Sequence, residues 1–218
     1  MQAAFFDMDH TVLTVNSGKK WLGYLRRQGR IGRLELLRAY GWYLQYKLAV
    51  LDMDTLSQRL VGELAGQSEA DMIAECDAWY REDIEPNIAS GARDAIARHR
   101  KAGDRVVLLT SATPYVSRPL STTLGLDDYL CTRLEVSQGK FTGRVVKPTC
   151  YGGGKVTHAE EWARRTGVDL RRSSFYTDSY TDLPMLERVG RPVCINPDPR
   201  LARHARRAGW PIHAWEST

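Results

Sequence analysis

The chain opens on an apolar run that ends in two carboxylates, Phe5-Phe6-Asp7-Met8-Asp9-His10-Thr11-Val12-Leu13. Residues 3–7 read as a buried strand, and Asp7-Met8-Asp9-His10-Thr11 as the loop at its C-terminal end. Side chains two apart on a strand share a face, so the spacing sets both acids together where the strand stops. Like charges gathered at a buried edge need protons or a cation to neutralise them.

Beyond this loop the pattern turns helical. From about Lys20 to Tyr80 no strand signal occurs. Leu34, Leu37, Tyr40, Leu44, Leu48 and Leu51 recur at steps of three and four, the apolar stripe of an amphipathic helix. Around Ser90-Gly91 helix and strand begin to alternate: a helix to about Ala102 with Gly103 as its C-cap, then the continuous apolar strand Val106–Leu109. Leu134–Val146 alternates around Gln138-Gly139 and reads as a β-hairpin, an accessory flap. A helix over 155–166, a strand Ser174–Thr177, a helix over 181–189, a strand Val193–Asn196, a helix over 199–208 and a short strand near Ile212 follow. This alternation predicts an α/β fold: a doubly wound, Rossmann-like parallel sheet core with an inserted α-helical cap domain and a small β-hairpin flap. The expected division is 1–14 and 86–218 for the α/β catalytic core and 15–85 for the helical cap.

Composition narrows the class. A chain of 218 residues, 43% hydrophobic, can bury one core and carry an insert. No run of about 18 apolar residues occurs and no basic leader precedes the first strand, so a cytoplasmic protein is expected. Cys76, Cys131, Cys150 and Cys194 form no CxxC pair and fit no zinc spacing; reduced, buried thiols are expected. The net charge of +5 is concentrated, because residues 19–51 carry eight Lys or Arg against the single acid Glu35. A local surplus of this kind favours an anionic substrate or partner.

Ligands of an open α/β sheet bind beyond the carboxyl ends of its strands. Thr110-Ser111 ends one strand, Lys155 follows three glycines at a helix start, and Asp178 ends another strand with Asp182 four residues on. With Asp7 and Asp9 these make four carboxylates, a hydroxyl and a lysine around one rim. An all-oxygen acid set without His or Cys suits Mg²⁺, which keeps waters and favours a site completed by substrate phosphate. Ser111 has an ordinary use as a helix cap, but Thr113-Pro114 offers a better one and frees Ser111 for a ligand. Lys155 has an ordinary use as a solvated surface residue. At a helix N-terminus, however, the macrodipole disfavours a lone cation, and ammonium, Gly-rich turn and backbone amides together read as a phosphate cradle. Asp178 and Asp182 alone would read as a helix cap and a first-turn acid. Their place in the ordered set assigns them to a metal.

These motifs, in this order, resemble the haloacid dehalogenase-like (HAD) phosphohydrolases. Asp7-Met8-Asp9-His10-Thr11 is similar to the family's DxDxT/V, Leu109-Thr110-Ser111-Ala112-Thr113 to its strand-end Ser/Thr, Gly152-Gly153-Gly154-Lys155 to its lysine, and Asp178-Ser179-Tyr180-Thr181-Asp182 to its DxxxD metal motif. The match covers nearly the whole chain, and the insert resembles the cap of the phosphoserine-phosphatase-like branch. The resemblance implies a Mg²⁺-dependent phosphomonoesterase in which Asp7 attacks phosphorus to form an aspartyl-phosphate. Asp9 would protonate the leaving oxygen and later activate water, its backbone carbonyl binding the metal. Ser111 and Lys155 would hold the phosphoryl oxygens, Asp178 and Asp182 would join Asp7 at the metal, and Thr11 would orient the Asp9 loop. His10 falls at a variable position of the motif with no catalytic role.

In phosphoserine phosphatases a glutamate lies nine residues after the nucleophile and reads the serine amine; here Asn16 stands at that place. A neutral amide supplies no charge to an ammonium. Asn16 and Lys20 are the candidate specificity residues, and a small phosphorylated metabolite, phosphoserine-like or histidinol-phosphate-like, is the leading substrate class. The basic insert, with Arg38, Trp42 and Tyr46 on a second stripe, offers two alternatives. One is a lipid-derived phosphomonoester such as lysophosphatidic acid, with peripheral contact to anionic lipid. The other is a non-enzymatic adaptor that uses the basic cap to bind membrane or a partner, although an adaptor has no use for this acid set. No nucleic-acid motif accompanies the charge, so nucleic acid is not expected. Nothing in the sequence specifies an oligomeric state.

Overall fold

The computed structural model describes residues 1–32 and 53–215. The stripe expected over Leu34–Leu51, with Arg38, Trp42 and Tyr46, lies outside the described residues. Among those described, the strands are β1 (Ala3–Phe6), β2 (Arg105–Leu109), β3 (Asp128–Leu130), β4 (Leu134–Ser137), β5 (Lys140–Val145), β6 (Ser174–Thr177), β7 (Arg191–Ile195) and β8 (Ile212–His213). The helices are α1 (Ser17–Arg27), α2 (Met53–Gly62), α3 (Glu69–Trp79), α4 (Ser90–Lys101), α5 (Pro114–Leu124), α6 (Gly153–Thr166), α7 (Leu183–Arg188) and α8 (Pro199–Ala208).

Six strands form one parallel sheet in the order β3-β2-β1-β6-β7-β8. Ala4, Phe6, Val106 and Leu108 pack on α4 and α5, while Ala3, Phe5, Val107 and Leu109 pack on α6, α7 and α8. Both faces are covered, which is why residues 3–6 and 106–109 are unbroken apolar runs and do not alternate. Phe5 and Phe6 are fully buried on opposite faces, each contributing roughly 1.5–3 kcal/mol. From β1 the chain steps outward through β2 and β3 on one side, then through β6, β7 and β8 on the other. The crevice beyond β1, flanked by β2 and β6, is therefore the switch point where such sheets bind ligands.

The inserted stretch leaves and returns through one backbone stem. Leu13 bridges Ile88, Thr14 N donates to Asn87 O at 2.9 Å, and Ala89 N donates to Val12 O at 3.0 Å. The hairpin turns as expected: Gln138 (φ 52°) and Gly139 (φ 73°) are both left-handed, the two-residue turn whose twist matches its strands. It is no free flap. Phe141 N donates to Gln67 O at 3.0 Å, Glu69 N to Gly139 O at 2.9 Å, and Gln58 Nε2 to Gly143 O at 2.7 Å, so the hairpin is stitched to α2 and the start of α3. Val61, Cys76, Tyr115, Leu134 and Phe141 fill the space between.

Several boundaries differ from expectation. β3 was not foreseen, since three residues show no period. The helix expected over 181–189 is a 3₁₀ turn, Tyr180–Asp182, followed by α7. Thr113 does stand at the N-cap of α5 with Pro114 behind it, yet its side chain makes no capping bond. The four cysteines are buried and free, and no described helix is long and apolar enough to cross a membrane.

A polar network ties the central strands β1, β2 and β6 to α4, near the amino ends of β1 and β2. Gln2 Nε2 donates to Asp104 Oδ1 at 2.7 Å, His99 Nδ1 lies 2.7 Å from Asp104 Oδ2, and His99 Nε2 lies 2.8 Å from the Tyr176 hydroxyl. Burial alone would raise the Asp104 carboxyl, but the bonds with His99 and Gln2 outweigh it and hold it below its ordinary value of 3.8. A carboxyl lowered on folding adds stability that is present above its unfolded value and lost as pH falls through the folded one. Asp104→Asn is expected to lower the Tm by a few degrees at pH 7. Thermal melts across pH should show that gap closing below about pH 4.

Candidate active site

The first acid is placed by the sheet and the second by a turn. Asp7 N donates to Tyr176 O at 2.9 Å, extending the β1–β6 ladder one residue past the strand. The chain then closes a single wide turn, with Val12 N on Asp7 O at 3.3 Å and Leu13 N on Met8 O at 2.8 Å. Inside it Asp9 is extended (φ −68°, ψ 135°) and His10 is left-handed (φ 55°). Asp9 thus reaches the rim through this turn and not through strand alternation. His10 is exposed and serves the bend.

Lys155 enters from α6. Its ammonium lies 2.7 Å from Asp7 Oδ1 and 2.7 Å from Asp182 Oδ2, and the residue is only 2% exposed. Of the glycines before it, Gly154 serves packing, since a Cβ there would stand 1.9 Å from the Thr149 carbonyl oxygen, and Gly152 takes a positive φ of 51°. Asp182 occupies the N-cap position of α7 without capping it. Its carboxylate turns inward, where Oδ2 also accepts from Thr177 Oγ1 at 2.6 Å.

Asp178 follows β6 and is half-buried. Its loop is pinned by Asp198, whose N donates to Asp178 O at 2.8 Å and whose Oδ2 accepts from Tyr180 N at 2.6 Å. Beyond β2, Thr110 Oγ1 accepts from Ala112 N at 3.2 Å and shapes the turn. The neighbouring Ser111 is exposed, and its hydroxyl makes no hydrogen bond among the described residues.

The electrostatics are those of an over-filled acid site. Burial pushes the Asp7 carboxyl up to about 7 despite the pull of Lys155, with Asp182 and Asp9 adding repulsion. Burial, then Asp7 and Asp182, push Asp178 up to about 8. Asp9 is also raised by burial, partly offset by its hydrogen bond from Ser17. Burial alone would drive Lys155 toward neutrality, but Asp182 and Asp7 outweigh it and hold its proton more tightly than usual. One ammonium among these acids leaves surplus negative charge, which a divalent cation would relieve. Among the described residues no three His, Cys, Asp or Glu side chains form a closed cage. The carboxylates of Asp7 and Asp178 and the Asp9 carbonyl are oxygen donors of the kind a hard cation takes, with water and phosphate completing its shell.

A family profile described as haloacid dehalogenase-like hydrolase matches residues 4–187. This chain belongs to that family. The hydrolase is 29% identical to a histidinol-phosphatase of Neisseria meningitidis serogroup C, over 96% of each chain. It is 36% identical to a phosphoserine phosphatase of Mycobacterium tuberculosis, over 96% of this chain and 70% of that one. Its fold matches the crystal structure of a protein of unknown function from Bordetella pertussis with a TM-score of 0.89, at 31% identity over 97% of each chain. The hydrolase is a phosphomonoesterase, which removes the adaptor reading.

Not every expected residue of the hydrolase sits as foreseen. Asn16, a candidate specificity residue, donates its Nδ2 to Asp9 Oδ2 at 2.8 Å while its Oδ1 accepts from Lys19 N at 3.0 Å. Lys20 is half-buried on α1 and makes no ion pair among the described residues. Thr11 Oγ1 is buried without a hydrogen-bond partner, so no bond from it to the Asp9 loop is seen. Two contributors were missed. Thr177 supports Asp182 and had a signal, a hydroxyl residue directly before the strand-end acid. Ser17 donates its backbone N to Asp9 Oδ1 at 2.9 Å, for which side-chain identity gives no sign.

Proposed function

We propose that this hydrolase cleaves small phosphorylated metabolites through an aspartyl-phosphate on Asp7, in the cytoplasm, with Mg²⁺ as cofactor. The observation that carries the reading is the Lys155 ammonium at 2.7 Å from Asp7 Oδ1. It occupies one oxygen of the nucleophile and leaves Oδ2 to attack. A bond forms from Asp7 Oδ2 to phosphorus while the bond from phosphorus to the ester oxygen breaks, and the Asp9 proton passes to that oxygen. A water oxygen then attacks phosphorus, its proton goes to Asp9, and the bond to Asp7 breaks, giving inorganic phosphate and restoring both acids. Mg²⁺, held by the Asp7 and Asp178 carboxylates and the Asp9 carbonyl, would screen the repulsion between nucleophile and phosphate.

In this reading Lys155 and Ser111 hold phosphoryl oxygens as charge redistributes. Asp182, expected as a metal ligand, acts chiefly as the anchor of Lys155, because its Oδ2 is engaged by Lys155 and Thr177. In this reading the described helices α1, α2 and α3 belong to the cap, whose proposed bounds are 15–85. The histidinol-phosphate and phosphoserine specificities named for the relatives support a small monoester. The lipid alternative drew on the basic insert, of which Arg33, Arg38, Trp42, Tyr46 and Lys47 lie outside the described residues, and it enters only as an arm of the test.

The test is phosphate release from phosphoserine, histidinol phosphate, sugar phosphates and lysophosphatidic acid, with Mg²⁺ and with chelator. Turnover of a soluble monoester that chelator abolishes is the expected result. Metal-independent turnover, or turnover of lysophosphatidic acid alone, would overturn the reading. Thermal melts give a readout that needs no activity. Mg²⁺ at about 100 times its Kd should raise the Tm by about 5–10 °C, and Asp178→Asn should lose most of that rise.

A further inference from the structure

We infer that Asn16 is a positioning residue for Asp9, not a reader of the substrate; this rests on the proposed function, in which Asp9 is the acid and base. Asn16 Nδ2 donates to Asp9 Oδ2 at 2.8 Å, and the next residue, Ser17, donates its backbone N to Asp9 Oδ1 at 2.9 Å. Consecutive residues at the start of α1 therefore hold both oxygens of one carboxyl. Rotation about a terminal carboxyl torsion is otherwise soft. The paired donors fix the carboxyl plane and leave a further lone pair on each oxygen for the proton in transit.

The orientation of the Asn16 amide is itself determined. Its Oδ1 accepts from Lys19 N at 3.0 Å as the N-cap of α1. A flipped amide would set its oxygen against the Asp9 carboxylate and its NH₂ against the Lys19 N–H, two repulsions in place of two bonds. The turn that carries Asp9 is tied to the same segment, with His10 N donating to Val15 O at 3.3 Å.

The chemistry explains why an uncharged donor stands here. Asp9 must give a proton in the first half-reaction and take one in the second, so both of its forms have to persist. An ammonium or guanidinium at this place would clamp it as the anion, and a carboxylate would compete for its proton. An amide holds either form without adding charge. Because Asn16 also starts α1, the alignment of the acid is coupled to the seating of the first inserted helix.

The decisive measurement compares leaving groups. An alkyl oxygen needs its proton as the ester bond breaks, whereas p-nitrophenolate does not, and kcat/KM reports only the steps through the first phosphoryl transfer. Asn16→Ser keeps an acceptor for the N-cap but is too short to reach Asp9; Asn16→Ala loses both functions. Both variants should lose about 10–100-fold in kcat/KM on alkyl phosphates and less than about threefold on p-nitrophenyl phosphate. The alkyl loss should be the same for ethyl phosphate and phosphoethanolamine, and the Ser variant should melt within about 2 °C of wild type. Equal loss on alkyl and aryl esters, loss confined to the amine-bearing ester, or no loss at all would overturn the inference. If the wild type turned over none of these esters, the proposed function would fall first and the inference with it.

Discussion

Asp7→Asn is expected to abolish hydrolysis by about 10⁴-fold or more while leaving the fold intact. The amide cannot form the bond to phosphorus, yet it keeps the shape of the carboxylate and an oxygen that accepts from Lys155. The Asp7 charge is held against burial and against Asp182 and Asp9, which is why its carboxyl stands as high as about 7. Removing that charge leaves Lys155 paired with Asp182 alone and relieves the repulsion that raises Asp178. The metal-free variant should therefore melt no lower than wild type, and the rise on adding Mg²⁺ should shrink. Phosphate release and thermal melts on the same preparation check both halves. A folded variant with more than about one per cent of wild-type turnover would remove Asp7 from the role of nucleophile.

Lys155→Met should have the opposite balance, losing activity and stability together. Methionine fills most of the space but leaves Asp7 and Asp182 facing each other with no ammonium between them, and Lys155 is 2% exposed. Stripping one partner from a buried ionic cluster costs about 3–5 kcal/mol, because the remaining charges stay desolvated. For a chain of this size that is a fall in Tm of about 10 °C. Adding Asp182→Asn should restore a large part of the stability and none of the turnover, a coupling that independent sites would not show. Denaturant or thermal unfolding of the single and double variants decides it. A single variant as stable as wild type would mean that the cluster is hydrated and the ion pairs are weak.

These expectations depend on contacts that the sequence reveals unevenly. β1 and β2 were readable because strands covered on both faces are continuous apolar runs, and the acids and the serine that follow the strands are local signals. The Gln138-Gly139 turn was readable because its left-handed backbone favours glycine. The pairing of Lys155 with Asp7 spans 148 residues, and only the crossing of the chain at the centre of the sheet brings them together. Similarly, the spacing of Asp178 and Asp182 could not reveal that Asp182 turns inward to the lysine. Asn16 was visible as an anomaly where a glutamate is usual. Its partner was not, because Asp9 is aimed by a left-handed residue in a wide turn, a local geometry that no periodicity encodes. β3 is too short to carry a pattern, and the stitching of the hairpin to α2 and α3 follows from tertiary contact alone.

The stem at Leu13 and Ile88 has a consequence for how such a protein changes over generations. The ends of the inserted stretch already touch, so the sheet beneath experiences it as a closed loop, and doubling a loop's length costs only about 0.6 kcal/mol in closure entropy. The stretch can be lengthened, trimmed or exchanged for another without rebuilding the strands that hold Asp7, Ser111 and Asp178. What is read above the site can therefore drift while the reaction below it stays fixed, so long as the first residues past the stem still meet Asp9.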